Sequence, residues 1–204
     1  MQRRQFNQAL VLTSALSALP LRAEEYEAGR HYRALPKPLP TSVQAGQVEV
    51  LEFFAYSCIH CFHFEQPLEA WIAKQKPNVV VKRVPVLFSP QFTPMAKLYY
   101  TLEALNWLGR LHGRVFSAIH VDKQRLFDDQ AIFDWMKQQQ VDMAAFDKMY
   151  KSFGVAGKVK RGAQLSAAFE VEGTPALGIQ GRYTVPGQGD KTLAIADQLI
   201  AKLG

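Results

Sequence analysis

An α/β fold interrupted by helices is expected from three features of the sequence. Residues 48–86 read as strand, helix and strand, residues 93–168 keep a helical apolar spacing, and residues 176–203 read as two short strands and a helix. A β-α-β half and a β-β-α half therefore flank a helical insertion. The chain has 204 residues, 48% of them hydrophobic, which is enough for a full core.

The first element stands apart from the fold. Arg3 and Arg4 precede an apolar stretch, 9–19, that is too short to span a membrane. Residues 1–23 are therefore expected to be an export signal cleaved after Ala23. Arg3-Arg4-Gln5-Phe6 is similar to a twin-arginine signal, and ordinary Sec export is the expected route. This segment also explains half of the net charge of +6, because Arg3, Arg4 and Arg22 lie in it with no acid. No dense Lys/Arg tract remains, which argues against nucleic acid as a partner.

Residues 24–45 hold Pro36, Pro38 and Pro40, so an irregular, extended lead-in is expected. Residues 48–55 are apolar and short, as in a buried strand. A helix should follow from Ser57 or Cys58, with Ser57 as its N-cap, and run to about residue 76 with a kink at Pro67. Residues 79–86, rich in valine, form the next strand. Within the insertion, Met95, Leu98, Tyr99, Leu102 and Leu105 share a helical face, and Gly109, Gly113 and Gly154 are expected to separate helices. Strands at 176–180 and 182–185 and a helix over 190–203 complete the chain.

Cys58-Ile59-His60-Cys61 contains the chain's only two cysteines. A disulfide closing so small a loop removes little unfolded-state entropy, so it suits exchange better than bracing. A structural clip or half of a metal site are the alternatives. His60 and His63 raise zinc, but no second Cys or His pair has finger-like spacing. At a helix start, free N–H groups and the helix dipole stabilise a thiolate. Cys58 is then the nucleophile, Cys61 the resolving thiol a turn deeper, and His60 a further stabiliser of the Cys58 sulfur. Glu52 sits among apolar strand residues. Buried, it would have a raised pKa and could exchange a proton with Cys61; at a sheet edge it would reach solvent. Arg83 is its better partner by position, ahead of Lys82. Tyr56, Phe62, Phe64, Phe92 and Met95 are candidates for an apolar groove beside the motif, with core packing expected for at least two. His31, His112 and His120 read as isolated, and as structural or exposed.

Leu51-Glu52-Phe53-Phe54, the Cys58–Cys61 motif, the distant Gly173-Thr174-Pro175-Ala176, and Tyr26 to Tyr32 together resemble the DsbA family. The resemblance covers residues 24–204. It implies a thioredoxin fold with an inserted helical domain, divided as 24–88 and 164–204 for the thioredoxin part and 89–163 for the insertion. It implies a periplasmic, monomeric thiol:disulfide oxidase without a bound cofactor. Such an enzyme passes its disulfide to reduced, folding exported proteins and is reoxidised by a DsbB-like membrane quinone reductase. It matches Cys58 to the attacked cysteine, Cys61 to the resolving one, His60 to the thiolate stabiliser and Glu52 to the buried acid. Thr174 and Pro175 match a substrate-binding pair whose proline is cis. Ile59 and Thr174 depart from the best-known form, which has proline and valine there. An isomerase or reductase of the same fold stays open, as does an exported peptide-binding chaperone with a vestigial disulfide.

Overall fold

A computed structural model describes residues 25–203. The expected export signal lies outside the described residues. Five strands form one sheet in the order β1-β5-β4-β2-β3. They are β1 (Arg33–Ala34), β2 (Val48–Phe54), β3 (Val79–Pro85), β4 (Ala176–Ile179) and β5 (Tyr183–Pro186). β2 and β3 run parallel, joined across one face by α1 (Ile59–Ile72), and the remaining pairs are antiparallel. Five helices follow β3: α2 (Thr93–Ala104), α3 (Leu108–His120), α4 (Asp129–Lys137), α5 (Met143–Tyr150) and α6 (Phe153–Ala168). α7 (Lys191–Ala201) closes the fold.

Every residue of β2 is buried, because both faces of the strand are covered. Successive side chains alternate between faces. Val48 and Val50 join Phe64, Leu68 and Trp71 of α1 and Ile195 and Leu199 of α7. Leu51 and Phe53 pack with Val84, Phe169 and Ala176. Phe54, at the strand's end, belongs to a third cluster with Tyr56, Cys61 and the insertion's Leu98, Leu111 and Phe116. The insertion therefore shares one apolar core with the cysteine motif.

The structure corrects several local expectations. α1 ends at Ile72, not near residue 76, and continues through Pro67. Its N-cap is Cys58, not Ser57. Gly109 and Gly113 lie within α3 and Gly154 within α6, where the packed face outweighs glycine's cost of about 1 kcal/mol. Helix ends are instead marked by left-handed residues other than glycine: Asn106, Lys123, Gln140 and Glu170. The lead-in also contributes β1, an edge strand paired to β5 that sequence pattern did not single out. Leu39 N–H donates to Gly181 O at 2.7 Å. Gly181 has φ +63, and a Cβ there would lie 2.2 Å from Leu39 O, so only glycine fits this close approach.

Candidate active site

β2 ends at Phe54, a turn carries Tyr56 and Ser57, and α1 starts at Ile59. That path puts Cys58 at the mouth of the helix with extended backbone, φ −86 and ψ 115. Its sulfur does what a capping serine oxygen normally does: it accepts the N–H of the residue three on, Cys61, at 3.4 Å. Both cysteines are free thiols, Cys58 half-buried and Cys61 fully buried.

The two thiols are driven apart electrostatically. Cys58 is lowered to about 5, chiefly by the hydrogen bond from the Cys61 thiol. Burial opposes this, and the Thr174 hydroxyl and the backbone N–H groups of Cys61 and His60 add to it. Cys61 is pushed far up, by its hydrogen bond to Cys58 and by burial. One sulfur is thus a thiolate at neutral pH and its neighbour holds its proton. His60 acts on Cys58 through its backbone; among the described residues its exposed imidazole makes no hydrogen bond. Its ring makes no hydrogen bond to the Cys58 sulfur because the second residue of the helix turns outward there.

Gly173 to Ala176 returns to the motif from the far end of the chain. The Thr174–Pro175 bond is cis. The Cys58 sulfur lies 3.3 Å from Thr174 O, to which the protonated thiol donates and the thiolate does not. Beside this contact lies a cleft of about 820 Å³ lined by His60, His63, Phe64, Pro67, Thr174 and Pro175 among others. Of the five residues considered for a groove, only Phe64 lines it. Tyr56 and Met95 are core, and Phe62 and Phe92 are half-buried against that same core. Gly187 backs the proline: a Cβ there would lie 2.7 Å from Pro175 O and 3.3 Å from its ring. A backbone carbonyl does not yield cheaply, so Gly187→Ala is expected to cost about 1–3 kcal/mol. It should also slow exchange with a reduced peptide by displacing Thr174 from Cys58. Parallel stopped-flow and thermal-unfolding measurements check both effects.

Glu52 is fully buried, since β2 is an interior strand and not an edge. The parallel register sets it opposite Arg83, whose Nε lies 3.0 Å from Glu52 Oε2 without hydrogen-bond alignment. Burial pushes Glu52 up to about 8, Arg83 opposing. Arg83 also pairs with Glu65 at 2.7 Å and with Glu69. Lys82 instead reaches Glu49 and Ser42. Sequence reasoning missed Glu65 and treated His112 and His120 as isolated. His112 is buried between the Tyr56 hydroxyl and Glu65, and His120 meets the Tyr56 carbonyl.

Three comparisons bear on this site. A family described as DSBA-like thioredoxin domain matches residues 49–194. The chain is 40% identical over 200 residues to the thiol:disulfide interchange protein DsbA of Bordetella parapertussis, covering 95% of each chain. It is 32% identical over 198 residues to that of Pseudomonas aeruginosa, covering 95% of this chain and 93% of the other. Its fold is similar to the crystal structure of Pseudomonas aeruginosa DsbA, with TM-score 0.81 and 33% identity over 87% of this chain and 94% of that one. It is also similar to Xylella fastidiosa DsbA, with TM-score 0.81 and 28% identity over 87% and 97%.

Proposed function

The chain belongs to the DSBA-like thioredoxin family and is a thiol:disulfide oxidoreductase acting on protein substrates, and from that premise we propose that it donates the Cys58–Cys61 disulfide to exported proteins as they fold. The observation that carries this reading is the opposed state of the two thiols, Cys58 lowered to about 5 and Cys61 raised. A substrate thiolate attacks Cys58 Sγ. The Cys58–Cys61 bond breaks, and Cys61 leaves with the electron pair and takes a proton. A second substrate thiolate then attacks the substrate sulfur of the mixed disulfide and expels Cys58 as a thiolate. Two electrons have passed from substrate to the cysteine pair. A low-pKa thiol is the better leaving group, which speeds this second step. In the mixed disulfide burial still disfavours the Cys61 thiolate, so Cys61 attacks slowly and the intermediate lasts long enough for the second substrate thiol.

Thr174 and Pro175, beside the Cys58 sulfur and the cleft, hold the substrate segment. Glu52, protonated at neutral pH, serves as the buried acid near the motif, giving a proton as Cys61 leaves and acting as proton acceptor when the disulfide re-forms. His60 stabilises the Cys58 thiolate through its backbone N–H. The thioredoxin part comprises 24–88 and 164–204, with 89–163 as the insertion. The enzyme works as a periplasmic monomer, exported by residues 1–23, with no bound cofactor, and a DsbB-like membrane quinone reductase restores the disulfide.

Serine substitutions test the assignment of the two sulfurs. Cys58→Ser is expected to reduce disulfide formation to the uncatalysed rate. Cys61→Ser cannot hold the disulfide, but its Cys58 thiolate can attack a disulfide-containing substrate and expel one substrate thiolate; with no Cys61 to release the product, protein–substrate mixed disulfides should accumulate, visible on non-reducing gels. A Cys58→Ser protein that still supports disulfide formation would point to the chaperone reading and remove this one.

A further inference from the structure

α3 carries His112 and His120, eight positions apart and on one helical face. Both meet Tyr56, two residues before Cys58. His112 Nδ1 lies 2.7 Å from the Tyr56 hydroxyl, and His120 Nε2 lies 2.8 Å from the Tyr56 carbonyl. A carbonyl only accepts, so the His120 proton is on Nε2. Burial pushes the Tyr56 phenol well up, so it keeps its proton and donates it to His112 Nδ1. His112 Nε2–H then faces Glu65 Oε2 at 3.3 Å, while Arg83 takes Glu65 Oε1. The charged and titratable groups that face His112 are thus Tyr56 from the turn after β2, Glu65 from α1 and Tyr99 from α2, with Arg83 behind Glu65. His120 stacks on Phe62, the residue after Cys61, at 5.3 Å and 18°.

One buried residue is therefore gripped at both its side-chain and main-chain ends by a helix of the insertion. The second histidine also lies flat on the residue beyond the motif. Buried polar side chains often do no more than satisfy one another. Here they satisfy each other across the joint that aims Cys58. We propose that His112 and His120 are positioning residues for thiol–disulfide exchange, fixing the Tyr56–Ser57–Cys58 segment so that the Cys58 sulfur stays on the Cys61 N–H. That contact, at 3.4 Å, is of ordinary length for a sulfur acceptor, and it weakens as displacement of the segment spoils its distance and angle. The reading rests on Cys58 being the exchanging sulfur.

The test uses the reduced protein, with thiolate absorbance against pH, equilibration with glutathione, and thermal unfolding. His120→Leu and His112→Phe are expected to raise the Cys58 pKa by about one unit, which moves the glutathione equilibrium constant about tenfold toward the disulfide. His120→Gln keeps an amide N–H for the Tyr56 carbonyl and should restore the parent values. Tyr56→Phe, which removes only the hydroxyl partner of His112, should move the Cys58 pKa the same way. It decides the matter if His120→Leu does not fold. Variants that melt earlier but keep the parent pKa and glutathione constant would overturn the proposal. Cys58→Ser in the parent separates the two levels: if exchange persists there, the underlying assignment fails, whatever the histidine variants show.

Discussion

Replacing Arg83 with methionine is expected to destabilise the protein by about 3–5 kcal/mol, the cost of removing one partner from a buried ion cluster. For a chain of this size that is a fall of roughly 6–20 °C in Tm. The Arg83 side chain is 17% exposed and holds three carboxyl groups, of which Glu52 is fully buried and Glu65 is 16% exposed. The loss should depend on pH. Glu52 has its folded pKa raised from 4.5 to about 8, so its contribution to stability is fully present below 4.5 and is lost as pH rises through 8. Removing Arg83 raises that pKa further and extends the loss upward. Glu65 runs the other way. Burial pushes it up, but His112 and Arg83 outweigh burial and hold it below 4.5, so it contributes stability above 4.5 that is lost on acidification. Without Arg83 that contribution shrinks. The Glu52 effect makes Arg83→Met worse at about pH 9 than at about pH 6, whereas the Glu65 loss is equal at the two. Glu52→Gln should behave differently. Near pH 6 the parent carboxyl is already protonated, and Arg83 keeps Glu65 and Glu69. The substitution should then cost little there and become favourable near pH 9. Equal Tm values for Arg83→Met and parent at pH 9 would contradict the account.

What the sequence made legible is what local chemistry decides. Two cysteines spaced by two residues after an apolar run define a redox site because sulfur at a helix start is already reactive, whatever the rest of the chain does. Strand and helix patterns located β2, α1 and β3 to within a few residues, since burial on both faces of β2 forces a nearly continuous apolar run. Legibility fails where three dimensions decide. Pairing of Glu52 with Arg83 depends on strand register, which position only hinted at. The direction of the His60 ring depends on which way the second helical residue points. The histidines of α3 became visible only once that helix lay across Tyr56, because eight-residue spacing between histidines carries no motif. The aromatic groove failed for the same reason: apolar side chains near a motif in sequence mostly filled the shared core. The cleft beside the motif, lined by His60 and His63, draws on the cis-proline loop and on the lead-in segment, far apart in the chain.

The reduction potential of the Cys58–Cys61 pair is expected to change its pH slope at about pH 5, where Cys58 ionises in the reduced form. Reduction takes up two electrons and one proton for each thiol that stays protonated. Each proton contributes about 30 mV per pH unit to a two-electron couple. Below the break both sulfurs are protonated, so the slope is about 59 mV per pH unit. Above it only Cys61 takes a proton, and the slope falls to about 30 mV. Burial and its bond to Cys58 hold the Cys61 proton far past the ordinary thiol range, so the shallower slope should continue to at least about pH 10 without a second break. The same ionisation makes the disulfide oxidising. At pH 7 a thiol lowered to about 5 stabilises the reduced form by two pKa units, about 2.7 kcal/mol, which is about 60 mV. Cys58 is only half-buried, and solvent screening reduces this to roughly 30–60 mV relative to a pair of ordinary thiols. Equilibration with glutathione buffers across about pH 4–10 measures both quantities. A slope near 59 mV per unit persisting through neutrality would show that Cys58 is an ordinary thiol. Oxidase strength would then have to come from strain in the disulfide or from the Thr174–Pro175 loop, not from the helix that Cys58 caps.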